Sequence, residues 1–422
     1  MNTDFPFRYR NGSLFIEDVE LETIARDHGT PAYVYSRAAI EAAFASFVHA
    51  SRDRNVLVCY ALKANSNLAI IELLARAGAG FDIVSAGELR RVIAAGGDPS
   101  KVVFSGVGKS EAEMRLALDA GVRCFNVESE SELLRLDRVA ASMNRRAPVS
   151  LRVNPDVDAG THPYISTGLR ENKFGIAHED ALMVYRRAAA LPNLEVVGID
   201  CHIGSQITSI EPYLAAADKV LELVDALHAD GIELQHIDFG GGLGIRYRDE
   251  DPPSAQALLD ALFARLERHP RGRRYGVLFE FGRSIVGNAG VLLTRVEYVK
   301  RNGERLFAIV DAAMNDLMRP ALYDAYHGVL PLRQRDDVEA QRYDVVGPVC
   351  ESGDWLARDR SLAIAEGDRL AIASAGAYGM AMASNYNTRP RAVELLVDGT
   401  QAHVIRERES VESLFALERR LP

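Results

Sequence analysis

Cysteine is scarce in this chain: there are four in 422 residues, Cys59, Cys124, Cys201 and Cys350, far apart in sequence. They form no Cys-x-x-Cys pair, so neither a zinc site nor a disulfide framework is expected, and each thiol is either a small core residue or a chemical one. Positive charge is also in deficit. Lys+Arg 49 against Asp+Glu 59 gives a formal net charge of −10, which argues against a general nucleic-acid-binding surface. Long apolar runs are missing as well. None follows Met1-Asn2-Thr3-Asp4 and none approaches the ~18 residues of a membrane span, so neither secretion nor membrane insertion is signalled and the cytoplasm is the expected compartment. There is no repeat, low-complexity tract or long linker; Arg333–Glu339 reads as a solvated, charged connection. What remains open is small-molecule chemistry.

What is present is a globular composition, 48% hydrophobic and 26% charged, with a regular beat of strand-like and helix-like segments from about residue 36 to 285. Apolar or β-rich runs lie at Val56–Leu62, Phe81–Val84, Val102–Ser105, Arg123–Val127, Val149–Val153, Val196–His202, His236–Phe239 and Tyr275–Glu280. Between them lie amphipathic stretches, such as Leu214, Ala217, Val220, Leu221, Val224 and Leu227, whose three-and-four spacing makes one apolar stripe on a helix. Eight such units predict a parallel (β/α)8 barrel over 36–285, because parallel strands need helical crossovers and a closed ring leaves no edge. After Val286 the rhythm changes to short β runs at Val291–Val299, Leu306–Val310, Tyr343–Val346, Leu370–Ala373 and Ala392–Val397, with turns at Asn302-Gly303 and Asp398-Gly399. This predicts a β-rich domain over 286–422, completed by residues 1–35, whose Asn11-Gly12 reads as a hairpin turn.

In such barrels the loops after the strands build the active site at one face, and Lys63, His202, Gly240-Gly241-Gly242 and Glu280 each fall at or just beyond a strand's end. A lysine ending a buried strand is partly desolvated, which lowers its pKa and frees the amine for Schiff-base chemistry, although single lysines are most often solvated. The glycine run after the seventh strand lets backbone amides approach an anion, and Gly282-Arg283-Ser284 after the eighth would complete a phosphate cradle. A phosphate site plus a Schiff-base lysine suggests pyridoxal 5'-phosphate (PLP). That cofactor asks for a carboxylate facing its ring nitrogen, which Glu280 supplies, and a flat neighbour for its ring, which His202 supplies, while Ser205 reaches the phosphate.

The motifs Tyr60-Ala61-Leu62-Lys63-Ala64-Asn65, Phe81 to Leu89, His202-Ile203-Gly204-Ser205-Gln206, Gly240-Gly241-Gly242, Met318-Arg319-Pro320-Ala321-Leu322-Tyr323, Cys350-Glu351-Ser352-Gly353-Asp354 and Gly376-Ala377-Tyr378-Gly379 resemble those of the fold-type III PLP-dependent decarboxylases. Within that group the Arg319 and Cys350 motifs are most similar to the branch acting on meso-2,6-diaminopimelate. The resemblance spans nearly the whole chain in order, and it implies decarboxylation to L-lysine and CO2 by a homodimer whose active sites are shared between subunits. It makes Lys63 the cofactor's lysine and His202 the residue against its ring, with Glu280 at the ring nitrogen. Ser205, Gly241, Gly242, Gly282 and Arg283 would hold the phosphate and adjoining groups, and Tyr378 would reach cofactor and substrate. Arg283, Arg319, Tyr323 and Glu351 would bind the substrate's carboxylates and distal ammonium. Cys350 and Glu351 would come from the other subunit, with Cys350 as the acid that returns a proton after CO2 leaves. No metal ligand is implied.

The pattern departs in one place: Glu280-Phe281-Gly282-Arg283 stands where the group has Glu-Pro-Gly-Arg, which predicts a slightly altered loop. Two other readings stay open at this point. One is a decarboxylase of the same fold for ornithine, arginine or carboxynorspermidine, which lack the second amino-acid end that Arg319 and Glu351 would pair. The other is a decarboxylase-like binding protein without catalysis, which retention of Lys63 and Cys350 argues against. Alanine racemase shares the architecture but needs a second acid/base on the opposite face.

Overall fold

The computed structural model describes residues 6–158, 160, 167–168 and 172–422; the N-terminal Met1–Asp4 segment lies outside them. The chain forms two compact units, one of 43–245 with 251–284, the other of 1–42, 246–250 and 285–422. No helix among the described residues is long and apolar enough to cross a membrane.

The first unit is the expected barrel. Its strands are β1 (Val56–Ala61), β2 (Gly80–Ile83), β3 (Val102–Phe104), β4 (Cys124–Val127), β5 (Ala147–Asn154), β6 (Leu194–Asp200), β7 (His236–Asp238) and β8 (Gly276–Phe281). Every neighbouring pair is parallel, and β8 pairs with β1, so the ring closes. The sequence dictates this locally. Buried on both faces, parallel strands read as short continuous apolar runs, and a polar cap then starts the return helix. Asn67, Ser85, Ser110 and Ser129 each accept a backbone N–H in the first turn of the helix that follows, Ser110 within a full capping box with Glu113. The helix Glu211–Ala229 buries the predicted stripe except for Leu214, whose place is taken by Tyr213.

The second unit is a mostly antiparallel sheet. Its order runs Trp355–Leu362, Gln341–Val346, Arg305–Val310, Gly290–Asn302, Ala32–Ser36, Val393–Asp398 and Gln401–Arg406, with Arg369–Ile372 and Val329–Pro331 branching from Gly290–Asn302. The N-terminus completes it. Ala32–Ser36 lies between two C-terminal strands, and the hairpin Phe7–Arg10/Ser13–Ile16 turns on Asn11 and Gly12, whose φ of 49° and 80° suit a right-twisted hairpin. Leu14, Ile16, Val34, Leu293, Leu332, Ala371 and Leu395 form one core, so hairpin and sheet are joined by burial as well as by pairing. The Arg333–Glu339 stretch is a connection, anchored by Arg335 on Asp337 and Asp368.

Candidate active site

Lys63 leaves β1 in a short 3-10 turn, Leu62–Ala64. The turn is fixed from below: the Tyr60 hydroxyl donates to the Asn65 carbonyl at 2.8 Å, the Asn65 side chain accepts the Asn67 amide at 3.1 Å, and Asn67 caps the next helix. Gly282 closes the far side, since a Cβ there would lie 3.0 Å from that of Ala64 and 3.1 Å from that of Ala61. The lysine side chain keeps 36% of its surface, and its Nζ forms a 2.7 Å ion pair with Asp82 Oδ2 at the end of β2. The other Asp82 oxygen is buried with no hydrogen-bond partner among the described residues.

Glu280 points into the barrel from β8 and is 4% exposed. Its Oε1 accepts the Asn126 side-chain amide at 3.2 Å. Asp200 and Asp238, paired across β6 and β7, bring their carboxylates within 4.8 Å of it. Burial, then repulsion from Asp82, Asp238 and Asp200, pushes the Glu280 carboxyl well above the ordinary range, with Lys63 pulling the other way. Burial raises Asp200 as well, and it lifts Asp238 to about 7 although the Gly240 amide favours its charged form. In such a cluster the acids disfavour one another's charge, so a cationic partner facing Glu280 favours its ionised form.

The glycine run leaves β7 beside these acids. A Cβ on Gly241 would fall 1.9 Å from the Glu280 carbonyl oxygen, and Gly242 holds φ of +99°, so side chains are excluded at both positions. The Gly241 amide donates to His202 Nδ1 at 3.2 Å, which makes Nδ1 the lone-pair nitrogen and leaves the imidazole proton on Nε2. Burial, then the nearby charges of Arg152 and Lys63, lowers the His202 pKa far below its usual value, so the ring is neutral. Arg283 is buried, and its Nη2 donates to the Ser205 hydroxyl at 2.9 Å. This donor set fits PLP: an amine for the aldehyde, a carboxyl for the ring nitrogen, a flat neutral ring, and an arginine with a hydroxyl for phosphate.

Phe281, where the pattern departs, belongs to the strand and not to the loop that follows it. It is the last residue of β8, fully buried, and its ring stacks on Phe47 at 4.0 Å and on Phe279 at 5.4 Å. Alternation along the strand turns Phe279 and Phe281 to the helical layer and Glu280 to the barrel interior, so the substitution is a matter of core filling.

The remaining candidates lie in the second unit. Arg319 and Tyr323 begin and end a five-residue helix; Arg319 is buried and Tyr323 half-buried. Tyr378 is half-buried and adopts φ of +57°. Cys350 and Glu351 stand exposed on a loop, where the Tyr386 hydroxyl donates to Glu351 and the Asn387 amide lies 3.4 Å from Cys350 Sγ. The other three thiols are buried. Asp354 pins this loop, its carboxylate accepting the Met314 amide at 2.6 Å and the Val349 amide at 2.8 Å.

Sequence reasoning passed over Asp82, Asn126, Asp200, Asp238 and the pinning role of Asp354. The signal for the aspartates was an acid inside an otherwise apolar strand, in Phe81-Asp82, Ile199-Asp200 and Ile237-Asp238.

Comparison with known proteins places these observations. Residues 37–287 match the family described as "Pyridoxal-dependent decarboxylase, pyridoxal binding domain". The diaminopimelate decarboxylase of Pseudomonas aeruginosa is 62% identical over 416 residues, covering 99% of both chains. Among solved structures, the diaminopimelate decarboxylase of M. jannaschii in co-complex with L-lysine is 37% identical, with a TM-score of 0.95 over 100% of this chain and 99% of that one. The Helicobacter pylori enzyme of that name, complexed with L-lysine, is 43% identical, with a TM-score of 0.90 over 94% and 99%.

Proposed function

The chain belongs to the pyridoxal-dependent decarboxylases, and we propose that its reaction is the loss of CO2 from meso-2,6-diaminopimelate to give L-lysine, with PLP as cofactor. The observation that carries this reading is the barrel rim, where a lysine amine, a buried carboxyl and a glycine-arginine turn meet at one end of the strands. PLP, when bound, supplies an aldehyde that condenses with amines and a ring that takes up the electron pair released as CO2 leaves.

The chain's own residues do the rest. Lys63 is the amine that would hold the aldehyde carbon, and its ion pair with Asp82 fixes that amine at the strand end. Glu280 holds the ring nitrogen, and burial makes its charge depend on that partner. Ser205, Gly241, Gly242, Gly282 and Arg283 hold the phosphate and adjoining groups, while His202 packs against the ring as a neutral imidazole. Arg283, Arg319, Tyr323, Glu351 and Tyr378 bind substrate. A second amino-acid end carries two charges, and a guanidinium with a carboxylate, Arg319 with Glu351, matches both. Cys350 Sγ–H supplies the proton that replaces CO2 on the substrate carbon.

The exposed Cys350 and Glu351 fit service to the active site of a second copy, so the working form is a homodimer with shared sites. The same reading puts the reaction in the cytoplasm, where unpaired thiols stay reduced. Incubating the PLP-loaded protein with meso-2,6-diaminopimelate tests the assignment: CO2 and L-lysine appear in equal amounts, and full PLP occupancy without turnover would refute it.

A further inference from the structure

Arg319 meets Tyr247 and His327 within the β-rich unit. Its guanidinium carbon lies 4.6 Å from the centre of the Tyr247 ring, and its Nη1 lies 2.8 Å from Nε2 of His327, which is fully buried. The other ring nitrogen, Nδ1, is 2.8 Å from the Ala373 carbonyl oxygen. Both partners are chemically one-sided. A carbonyl only accepts, so Nδ1 carries the proton; a guanidinium only donates, so Nε2 presents its lone pair. The histidine is thereby fixed as the neutral Nδ1–H form, bridging a strand-end carbonyl to the guanidinium. Its own carbonyl accepts from Arg360 Nη2 at 3.3 Å, and Tyr247 meets its ring edge-on at 5.4 Å.

We propose that His327 is the positioning residue for Arg319, and through it a determinant of how tightly the substrate's distal carboxylate is bound. A neutral acceptor orients one face of the guanidinium without itself cancelling the charge that an anion would meet. A carboxylate in the same place would orient the group and neutralise it as well. The inference rests on the reading that Arg319 grips the distal end of meso-2,6-diaminopimelate, the end that L-lysine retains and 1,5-diaminopentane lacks.

The test compares His327→Phe, which removes the acceptor at similar bulk, with His327→Gln, whose amide oxygen can take its place. Expected for His327→Phe is a rise of about tenfold in KM and in the inhibition constant for L-lysine, the scale of one hydrogen bond to a charged group. The kcat stays within about threefold, because the bond acts on binding in ground and transition state alike. Inhibition by 1,5-diaminopentane does not change, His327→Gln recovers most of the loss, and adding His327→Phe to Arg319→Ala costs nothing more. The proposal is overturned if folded His327→Phe binds L-lysine as the wild type does, if it weakens 1,5-diaminopentane equally, or if His327→Gln is no better than His327→Phe. Thermal unfolding of both variants establishes that they are folded. If the wild type did not turn over meso-2,6-diaminopimelate, the functional reading would fail on its own, while calorimetric L-lysine binding by the PLP-loaded wild type and variants would still decide the histidine's role.

Discussion

Glu280 and Glu351 are both glutamates assigned to one reaction, yet their surroundings are opposite. Glu280 is 4% exposed and shares its neighbourhood with Asp82, Asp200 and Asp238, whereas Glu351 stands in solvent beside the Tyr386 hydroxyl. The barrel rim holds its chemistry by burial: its carboxyls are desolvated, which disfavours their charged forms, and its groups are fixed by strand ends and capped helices. The Cys350 loop is pinned through its backbone by Asp354 and met by Tyr386 and Asn387, and it leaves the thiol and carboxylate outward. A site that must tune a cofactor needs the first arrangement. A surface proposed to complete another copy's site suits the second.

Substitutions sharpen this contrast, and the largest effect is expected at Lys63. Lys63→Ala removes the amine proposed to anchor the cofactor, so the expected outcome is a drop in CO2 release of at least about 1,000-fold and loss of the absorbance of protein-linked PLP. A variant that keeps both the band and the turnover would show that another residue is the anchor. Next is Cys350→Ala, for which kcat falls by about 100-fold or more, the usual worth of a positioned acid, while the PLP band is unchanged. Loss of that band would place the thiol at the cofactor instead.

Asp238→Asn probes the buried cluster through stability. A carboxyl whose folded pKa is raised stabilises the fold fully below its unfolded pKa, and that contribution is lost as pH climbs through the folded value, here about 7. Wild-type apoprotein therefore loses stability relative to Asp238→Asn between about pH 4 and 7, by up to a few kcal/mol, with no further divergence above. Parallel denaturation curves at every pH would contradict the proton-sharing cluster. The smallest effect is at Phe281. Phe281→Leu costs about 1–2 kcal/mol in unfolding free energy and leaves kcat/KM for meso-2,6-diaminopimelate within about twofold, because the ring fills the layer facing Phe47. A changed substrate preference would show that the rim feels this side chain after all.

How much of this was legible in the sequence follows from the same contrast. The eight barrel strands could be read because strands covered on both faces are short apolar runs set apart by helical stripes. Trp355–Leu362 and Gln401–Arg406 could not, since edge strands facing water on one side carry the mixed residues of WLARDRSL and QAHVIR, which resemble loops. At the rim, Lys63 and the glycine run announced themselves by interrupting apolar strands. Asp82, Asp200 and Asp238 did so as well, but a single acid near a strand end has an ordinary explanation as a cap, and only the closed ring brings three such acids around Glu280. His327 left no trace at all: an isolated histidine after Tyr326 gains its meaning from Ala373 and Arg319, 46 and 8 residues away.

The division of labour between buried rim and exposed loop is tested most directly by mixing two impaired variants. Lys63→Ala and Cys350→Ala, each expected alone to retain about 1% of wild-type turnover or less, are combined in equal amounts under conditions that let subunits exchange. If the lysine and the thiol of one working site come from different copies, half the dimers are mixed and each carries one intact site, so about a quarter of wild-type CO2 release returns. If activity stays at the sum of the two variants while mixed dimers are demonstrably present, both groups act within one copy and the account is contradicted.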